Sequence, residues 1–261
     1  MFKFSGAGND FVVLDGRGKD IAPYKKTDFI VNACNKYSTD GLMVLETAPG
    51  YDFRMDFFNP DGSGGMMCGN GGRCITAFAS MMGVKPADGK EYRFLAPDGE
   101  HTASILEENI PDGKWTVRLR MIDVNGITPV LDGFFLNTGT RHFVKFVPDV
   151  DNLDVDACGR TLRHHETFAP EGTNVNFVQV CADGLKVRTF EKGVEGETLA
   201  CGTGLTASAL AFNYLNQDGT RANISLRCRR GDILTVEFSR RADSFRDVYL
   251  TGPAELVEVI E

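Results

Sequence analysis

Two short stretches carry the first chemistry that this 261-residue sequence offers: GSGGMMCGNGGRCITAFAS around Cys68 and EGETLACGTGLTASALAF around Cys201. Each sets one cysteine before a Gly-x-Gly turn and a run of small and apolar residues. A helix beginning there has about half a positive charge and several unpaired N–H groups at its start. The charge favours thiolate over thiol. The N–H groups make a site for an anion such as a carboxylate, and glycines let backbone donors come close to it. One such corner is a base or nucleophile beside a carboxylate pocket. Two, related by pseudo-twofold symmetry, would set thiols on opposite faces of one ligand. That suits stereoinversion at a carbon bearing a carboxylate. One thiolate removes the α-proton, the opposite thiol donates one, and the helix starts stabilise the developing charge. No lysine context suggests pyridoxal phosphate, so no cofactor is expected.

Other residues of chemical interest read more plainly. Cys68 and Cys74 lie six apart without a Cys-x-x-Cys pair, which argues against zinc, and Cys74 is expected to face the core of its own helix. GSGG and GNGG lack the Gly-Lys-Ser/Thr ending of a phosphate loop, and GAGNDF lacks the third glycine of a dinucleotide loop. His164 and His165 sit in the polar stretch LRHHETFAPEG and read as solvated; His142, after NTGTR, is the better pocket candidate. A net charge of −8, with no Lys/Arg cluster, argues against a nucleic-acid partner. No apolar stretch reaches the roughly 18 residues of a membrane span, so no membrane partner is expected. MFKFSGAGND lacks the apolar core of a signal peptide, and seven cysteines at irregular spacing read as reduced thiols. A cytoplasmic protein acting on a small molecule is the expectation.

The elements that must position the two cysteines repeat as well. Cys68 and Cys201 are 133 positions apart. DFVV from Asp10 matches HFVK from His142 at an offset of 132, TDGLMVL from Thr39 matches TNVNFVQ from Thr173 at 134, and RMDFFN matches KVRTFE at 132. Four matches in one order indicate an internal duplication. Short β-branched or alternating runs predict strands: FVVLD, GLMVLE, DFRMDFF, YRFLA and KWTVRLRM, then GFFLNTG, HFVKFV, NVNFVQV, LKVRTF, DILTVEF and DVYLTG. RCITAFASMM and GLTASALAFNYLN predict helices apolar on most sides, hence buried. APYKKTDFIVNACNKYS predicts a helix on the outside. The expected fold is α/β (α+β): two pseudo-symmetric domains, each a curved, mainly antiparallel sheet wrapped around a central helix, with the active site in the cleft between them. The join falls near MIDVNGITP, giving 1–124 and 125–254, and the tail ELVEVIE (about 255–261) adds a strand to the first domain.

GAGNDFVVLD, FFNPDGS, MCGNGGRC, EGTNVNFV, FEKGVEGETLACGTG and YLTGPAELV together resemble the diaminopimelate epimerase family of cofactor-independent two-cysteine epimerases, almost end to end. The resemblance implies interconversion of LL- and meso-diaminopimelate in lysine and peptidoglycan-precursor synthesis, the two-domain fold above, and a homodimer. It implies that Cys68 and Cys201 are the catalytic acid/base thiols. Gly69 with Asn70, and Gly202 with Thr203, would hold the α-carboxylate. Asn9, Asn59 and Asn174 would contact substrate, although turn-capping is the commonest work of asparagine. Glu191 and Lys192 would form an acidic–basic pair at the distal end. His142 and Glu191 occupy positions that influence the thiols. Three features depart from the family pattern: Gly41 where glutamine is frequent, Thr140 and Arg141 before His142, and Lys192 in place of a planar, two-donor arginine. Arg141 could supply a compensating cation. A related amino-acid racemase, for example of histidine, and a non-catalytic carboxylate-binding protein are the rival readings.

Overall fold

The structure is a computed structural model and describes residues 1–217 and 219–260. Strands β1 (Phe2–Gly6) and β2 (Asn9–Asp15) precede helix α1 (Thr27–Tyr37), β3 (Leu42–Glu46) and β4 (Phe53–Phe58). Helix α2 (Gly69–Met81) leads to β5 (Tyr92–Ala96), β6 (Gly99–Asn109) and β7 (Lys114–Arg120). There follow β8 (Thr128–Val130), β9 (Gly133–Asn137), β10 (Arg141–Phe146), α3 (Val155–Arg163), β11 (Asn174–Cys181), β12 (Gly184–Glu191) and β13 (Gly196–Thr198). Helix α4 (Gly202–Asn216), β14 (Arg221–Arg227), β15 (Ile233–Arg241) and β16 (Ser244–Val259) complete the chain. Two compact units result: Met1–Leu119 with Gly252–Glu261, and Arg120–Thr251.

The units repeat one ladder. In the first, β1–β2 is antiparallel, β2–β3 parallel, β3–β4 antiparallel, β4–β5 parallel, and β5–β6 and β6–β7 antiparallel. Strands β9, β10, β11, β12, β14, β15 and β16 repeat that series in the same order. A parallel pair needs a crossover, and each of the four carries a helix: α1, α2, α3 and α4. In the first unit the end of β16 pairs with both β7 and β1, which closes the ring of strands. The tail expected as a separate strand is thus the continuation of β16.

Burial explains which helix sits where. Helix α2 buries eleven of its thirteen residues and packs on β1, β2, β3 and β6. Helix α1 buries only Ile30, Ala33 and Cys34, against Val12, Leu14, Leu42 and Val44. By strand alternation these four residues point away from Phe11, Val13 and Met43. Helices therefore cover both faces of β2 and β3, and their cores read as continuous apolar runs. The second unit repeats this arrangement. Helix α4 is uncharged and buries ten of its fifteen residues, while α3 lays Val155, Cys158 and Leu162 on Phe143, Val175, Phe177 and Phe190.

Several elements differ from the sequence expectation, α2, α3, β6 and β14 among them. Helix α2 starts at Gly69, not Arg73, so its glycines lie inside the first turn. A Cβ at Gly72 would meet Met67 Sδ at 2.9 Å and Leu119 at 3.1 Å, so glycine here lets those side chains pack close against the helix and does not mark a turn. Helix α3 is capped by Asp154, whose carboxylate accepts from Ala157 N at 3.0 Å. Strands β6 and β14 are long but mostly polar outward, and β6 fully buries only Ala103. Among the described residues no helix is long and apolar enough to cross a membrane.

Candidate active site

Each cysteine corner is a helix N-cap. Cys68 caps α2 with extended backbone, and its Sγ accepts from Gly71 N at 3.2 Å. Cys201 caps α4 in the same way, but its Sγ lies 3.4 Å from Thr203 Oγ1 instead. Cys68 is exposed and Cys201 is buried. Both sulfurs therefore sit at the positive ends of long helices, next to N–H groups that α2 and α4 cannot satisfy internally. Burial pushes Cys34, Cys74 and Cys228 up from the usual thiol range, and Cys74 lies wholly inside α2's packing, as its sequence suggested.

The corner of the first unit rests on a buried arginine. Arg73 has no exposed surface. Its guanidinium donates to the carbonyls of Gly69 (3.2 Å), Pro253 (3.2 Å) and Gly6 (3.5 Å), and to Asn70 Oδ1 (2.8 Å). Asn70 is oriented by this contact, and its Nδ2 donates to Asn9 Oδ1 at 2.6 Å. Asn9, Gly69 and Asn70 thus meet at the start of α2 beside Cys68. Sequence reasoning passed over Arg73, although it is the one charge in the apolar run that forms α2. Asn59 lies outside this set. Its amide donates to Ser63 Oγ (3.0 Å) and the Gly64 carbonyl (3.3 Å), so in this structure it shapes its own turn. Gly41 has a packing reason. A Cβ there would meet the Phe57 ring at 2.6 Å and the Phe58 carbonyl at 2.7 Å.

The second unit gathers its candidates more tightly. Asn174 joins three segments: its Nδ2 donates to Thr140 Oγ1 (3.2 Å) and the Arg141 carbonyl (3.0 Å), and its Oδ1 accepts from Lys192 N (2.8 Å). This places Lys192, which is exposed, and the half-buried Glu191 at the end of β12 beside Thr140. His142 is wholly buried. Its ring nitrogens lie 2.9 Å from Thr140 Oγ1 and 3.1 Å from Asn176 Nδ2. Burial drives its pKa down to about 3, so the ring is neutral at ordinary pH. It therefore holds a fixed hydrogen-bond pattern and approaches Cys201 only through Thr140 and Thr203. Thr138, a residue the sequence gave no reason to choose, donates to the Thr203 carbonyl at 2.9 Å and ties β9 to α4. Arg141 is not an unengaged cation: it pairs with Glu171, donates to the Phe168 carbonyl at 3.3 Å and lies over the Phe135 ring. His165 accepts from Thr167 N at 3.2 Å, and His164 faces Glu195 at 3.3 Å.

Among the described residues no group of three or more His, Cys, Asp or Glu is arranged to hold a metal ion. Each unit thus sets one sulfur at the start of a buried helix, beside that helix's first backbone N–H groups.

Comparison with known proteins adds to this geometry. The family described as "Diaminopimelate epimerase" matches residues 1–117 and 134–257. A diaminopimelate epimerase of Chlorobaculum tepidum is 40% identical over 260 residues, covering 97% of either chain. One of Aquifex aeolicus is 39% identical over 271 residues, covering 97% of this chain and 93% of its own. Among solved structures, a Bacillus anthracis phenazine biosynthesis protein of the PhzF family superposes with a TM-score of 0.75. It has 13% identity and covers 100% of this chain and 98% of its own, which is a likeness of fold alone.

Proposed function

Since the chain belongs to the diaminopimelate epimerase family, we propose that it interconverts LL- and meso-diaminopimelate by two-base proton transfer between Cys68 and Cys201. The observation that carries the mechanism is the equivalent placing of the two cysteines as N-caps in a duplicated unit. A carboxylate held by helix-start N–H groups acidifies the adjacent C–H by stabilising the negative charge that its loss creates. One sulfur, as thiolate, takes the α-proton; the other, as thiol, delivers a proton to the opposite face. Gly69 with Asn70 and Gly202 with Thr203 supply carboxylate donors, and Asn9 and Asn174 hold those donors' neighbours in place. With Arg141 already paired to Glu171, Lys192 is the cation for the distal carboxylate, and Glu191 suits the distal ammonium. The reaction needs no cofactor in this scheme. The same reading puts the protein in the cytoplasm, as a homodimer, serving lysine and cell-wall precursor synthesis.

The test is direct. Purified protein is incubated with LL-diaminopimelate in heavy water. Formation of the meso isomer with deuterium at the inverted α-carbon is expected. Cys68→Ala and Cys201→Ala should each abolish epimerisation in folded protein. Full epimerisation by either variant would sink the two-base mechanism, and absence of any meso form with the parent would sink the assignment.

A further inference from the structure

Beside Cys201 the hydrogen bonds of the second unit run in one direction. The buried amide of Asn176 is fixed by two partners of known polarity. Its Nδ2 donates to the Phe143 carbonyl at 3.1 Å, which can only accept, and its Oδ1 accepts from Thr189 Oγ1 at 2.9 Å. The second N–H of Nδ2 therefore meets His142 Nδ1, 3.1 Å away, as a donor. A neutral imidazole has one donor and one acceptor nitrogen. With Nδ1 accepting, the ring proton is on Nε2, which donates to Thr140 Oγ1 at 2.9 Å. Thr140 Oγ1 also accepts from Asn174 Nδ2 at 3.2 Å, so both its lone pairs are taken. Its own proton must be given away, and Thr203 Oγ1 lies 3.4 Å off. Thr203 Oγ1 in turn is 3.4 Å from Cys201 Sγ.

We infer that Thr140 is a positioning residue: it passes the fixed polarity of Asn176 and His142 to Thr203, which donates a hydrogen bond to the Cys201 sulfur and steadies its thiolate. This deepens, and rests on, the reading of Cys201 as an acid/base group. A donor to the charged form favours that form. At the corner of the first unit the contact to sulfur comes from the backbone: Cys68 Sγ accepts from Gly71 N at 3.2 Å. Charged groups at this end of the surrounding elements include Arg141 with its partner Glu171, Glu191 at the end of β12, Lys192 after it, and Arg230, whose backbone N–H donates to the carbonyl of Leu199 two residues before Cys201. Strand β11 contributes asparagines here, and α4 has no charged side chain.

The test reads thiolate directly and needs no turnover. The pH dependence of iodoacetamide alkylation is followed separately at Cys201 and Cys68 by peptide mass spectrometry, in the full-length parent, Thr140→Val and Thr140→Ser. Thr140→Val should move the Cys201 midpoint up by about one pH unit, the scale of one lost hydrogen bond to a charged group. Cys68 should not move, and Thr140→Ser should restore the parent profile. A Cys201 midpoint indifferent to Thr140→Val, or a serine variant that behaves like valine, overturns the inference. Independently of any variant folding, nitrogen NMR of the parent should find the His142 proton on Nε2; a proton on Nδ1 overturns it too. An active epimerase whose Cys201 profile ignores Thr140 sinks this inference alone. Activity that survives Cys201→Ala sinks the reading beneath it.

Discussion

Gly71 and Gly204 each lie three residues after their cysteine, in the first turn of α2 and α4, yet alanine should cost very different amounts at the two. A Cβ at Gly204 would land on Asn176 Oδ1 and approach Thr189 Oγ1 at 3.2 Å and Cys201 Cβ at 3.3 Å. The Asn176 amide cannot give way cheaply, since Phe143, His142 and Thr189 hold it on three sides. Displacing it strands at least two buried polar groups at about 1–3 kcal/mol each, or about 2–6 kcal/mol. Alanine's better helix propensity returns about 1 kcal/mol at most. The net loss centres near 3 kcal/mol, a drop in Tm of about 6–12 °C for a chain of this size. At Gly71 the nearest atoms are Cys68 Sγ at 3.3 Å, Met55 Cε at 3.4 Å and Met43 Sδ at 3.5 Å. All three are the ends of adaptable side chains, so Gly71→Ala should stay within about 1 kcal/mol of the parent. Thermal and urea unfolding of the two variants side by side decides the matter. Equal stability of Gly204→Ala and Gly71→Ala would refute the account of Asn176 as a pinned element.

Three further outcomes follow from the charges. Burial alone would raise the Asp56 carboxyl, but its contacts, Arg54 foremost and Lys25 among them, bring it down to about 2. A depressed carboxyl contributes stability that is full above the unfolded value near 4 and lost as pH falls toward 2. Asp56→Asn should therefore cost up to about 2 kcal/mol at pH 7 and almost nothing near pH 2, checked by urea unfolding at both. His142, buried and neutral with a pKa of about 3, opposes protonation that the unfolded chain accepts below about 6.5. Stability should accordingly fall by about 2 kcal/mol between pH 7 and pH 5 on its account, and His142→Gln should flatten that slope. Lys192→Met should lower kcat/KM for LL-diaminopimelate by about 10–100-fold, the worth of one charged hydrogen bond; an unchanged value would move the assignment toward a racemase without a distal carboxylate.

Much of this was legible in the sequence, for physical reasons that differ by element. The runs FVVLD, YRFLA and LKVRTF are buried enough to show as β-branched and aromatic clusters, and each forms a strand. The helices after Cys68 and Cys201 were legible because a central helix must be apolar on nearly every side. Strands β6 and β14 were not, since a solvated outer face leaves too few apolar residues to set a period. The start of α2 was displaced because glycines ordinarily signal a turn, whereas here they admit Met67 and Leu119. The cysteines, Asn70 and Asn174 could be chosen from their corners and motifs. Thr138, Asn176 and Thr189 could not, because a buried neutral residue shows its purpose only when its partners are known.

The two corners also differ in a way that duplication alone does not predict. Five residues after the cysteine, α2 carries Arg73 and α4 carries Thr206. Thr206 satisfies itself locally, donating to the Gly202 carbonyl at 2.9 Å. Arg73 cannot; a guanidinium without solvent must find acceptors, and four converge on it. The first corner thus adds a full buried cation to the dipole of its helix, bonded to the residue next to Cys68. In the second, neutral donors are lined up by Asn176 and His142. Both arrangements favour negative charge at a helix start, one by field and the other by directed hydrogen bonds. Two-base inversion needs one deprotonated and one protonated sulfur at the outset of every turnover, with the roles exchanged in the reverse direction. Corners stabilised by unlike means can meet that need without being identical, which leaves each free to diverge as long as its own helix start stays electropositive.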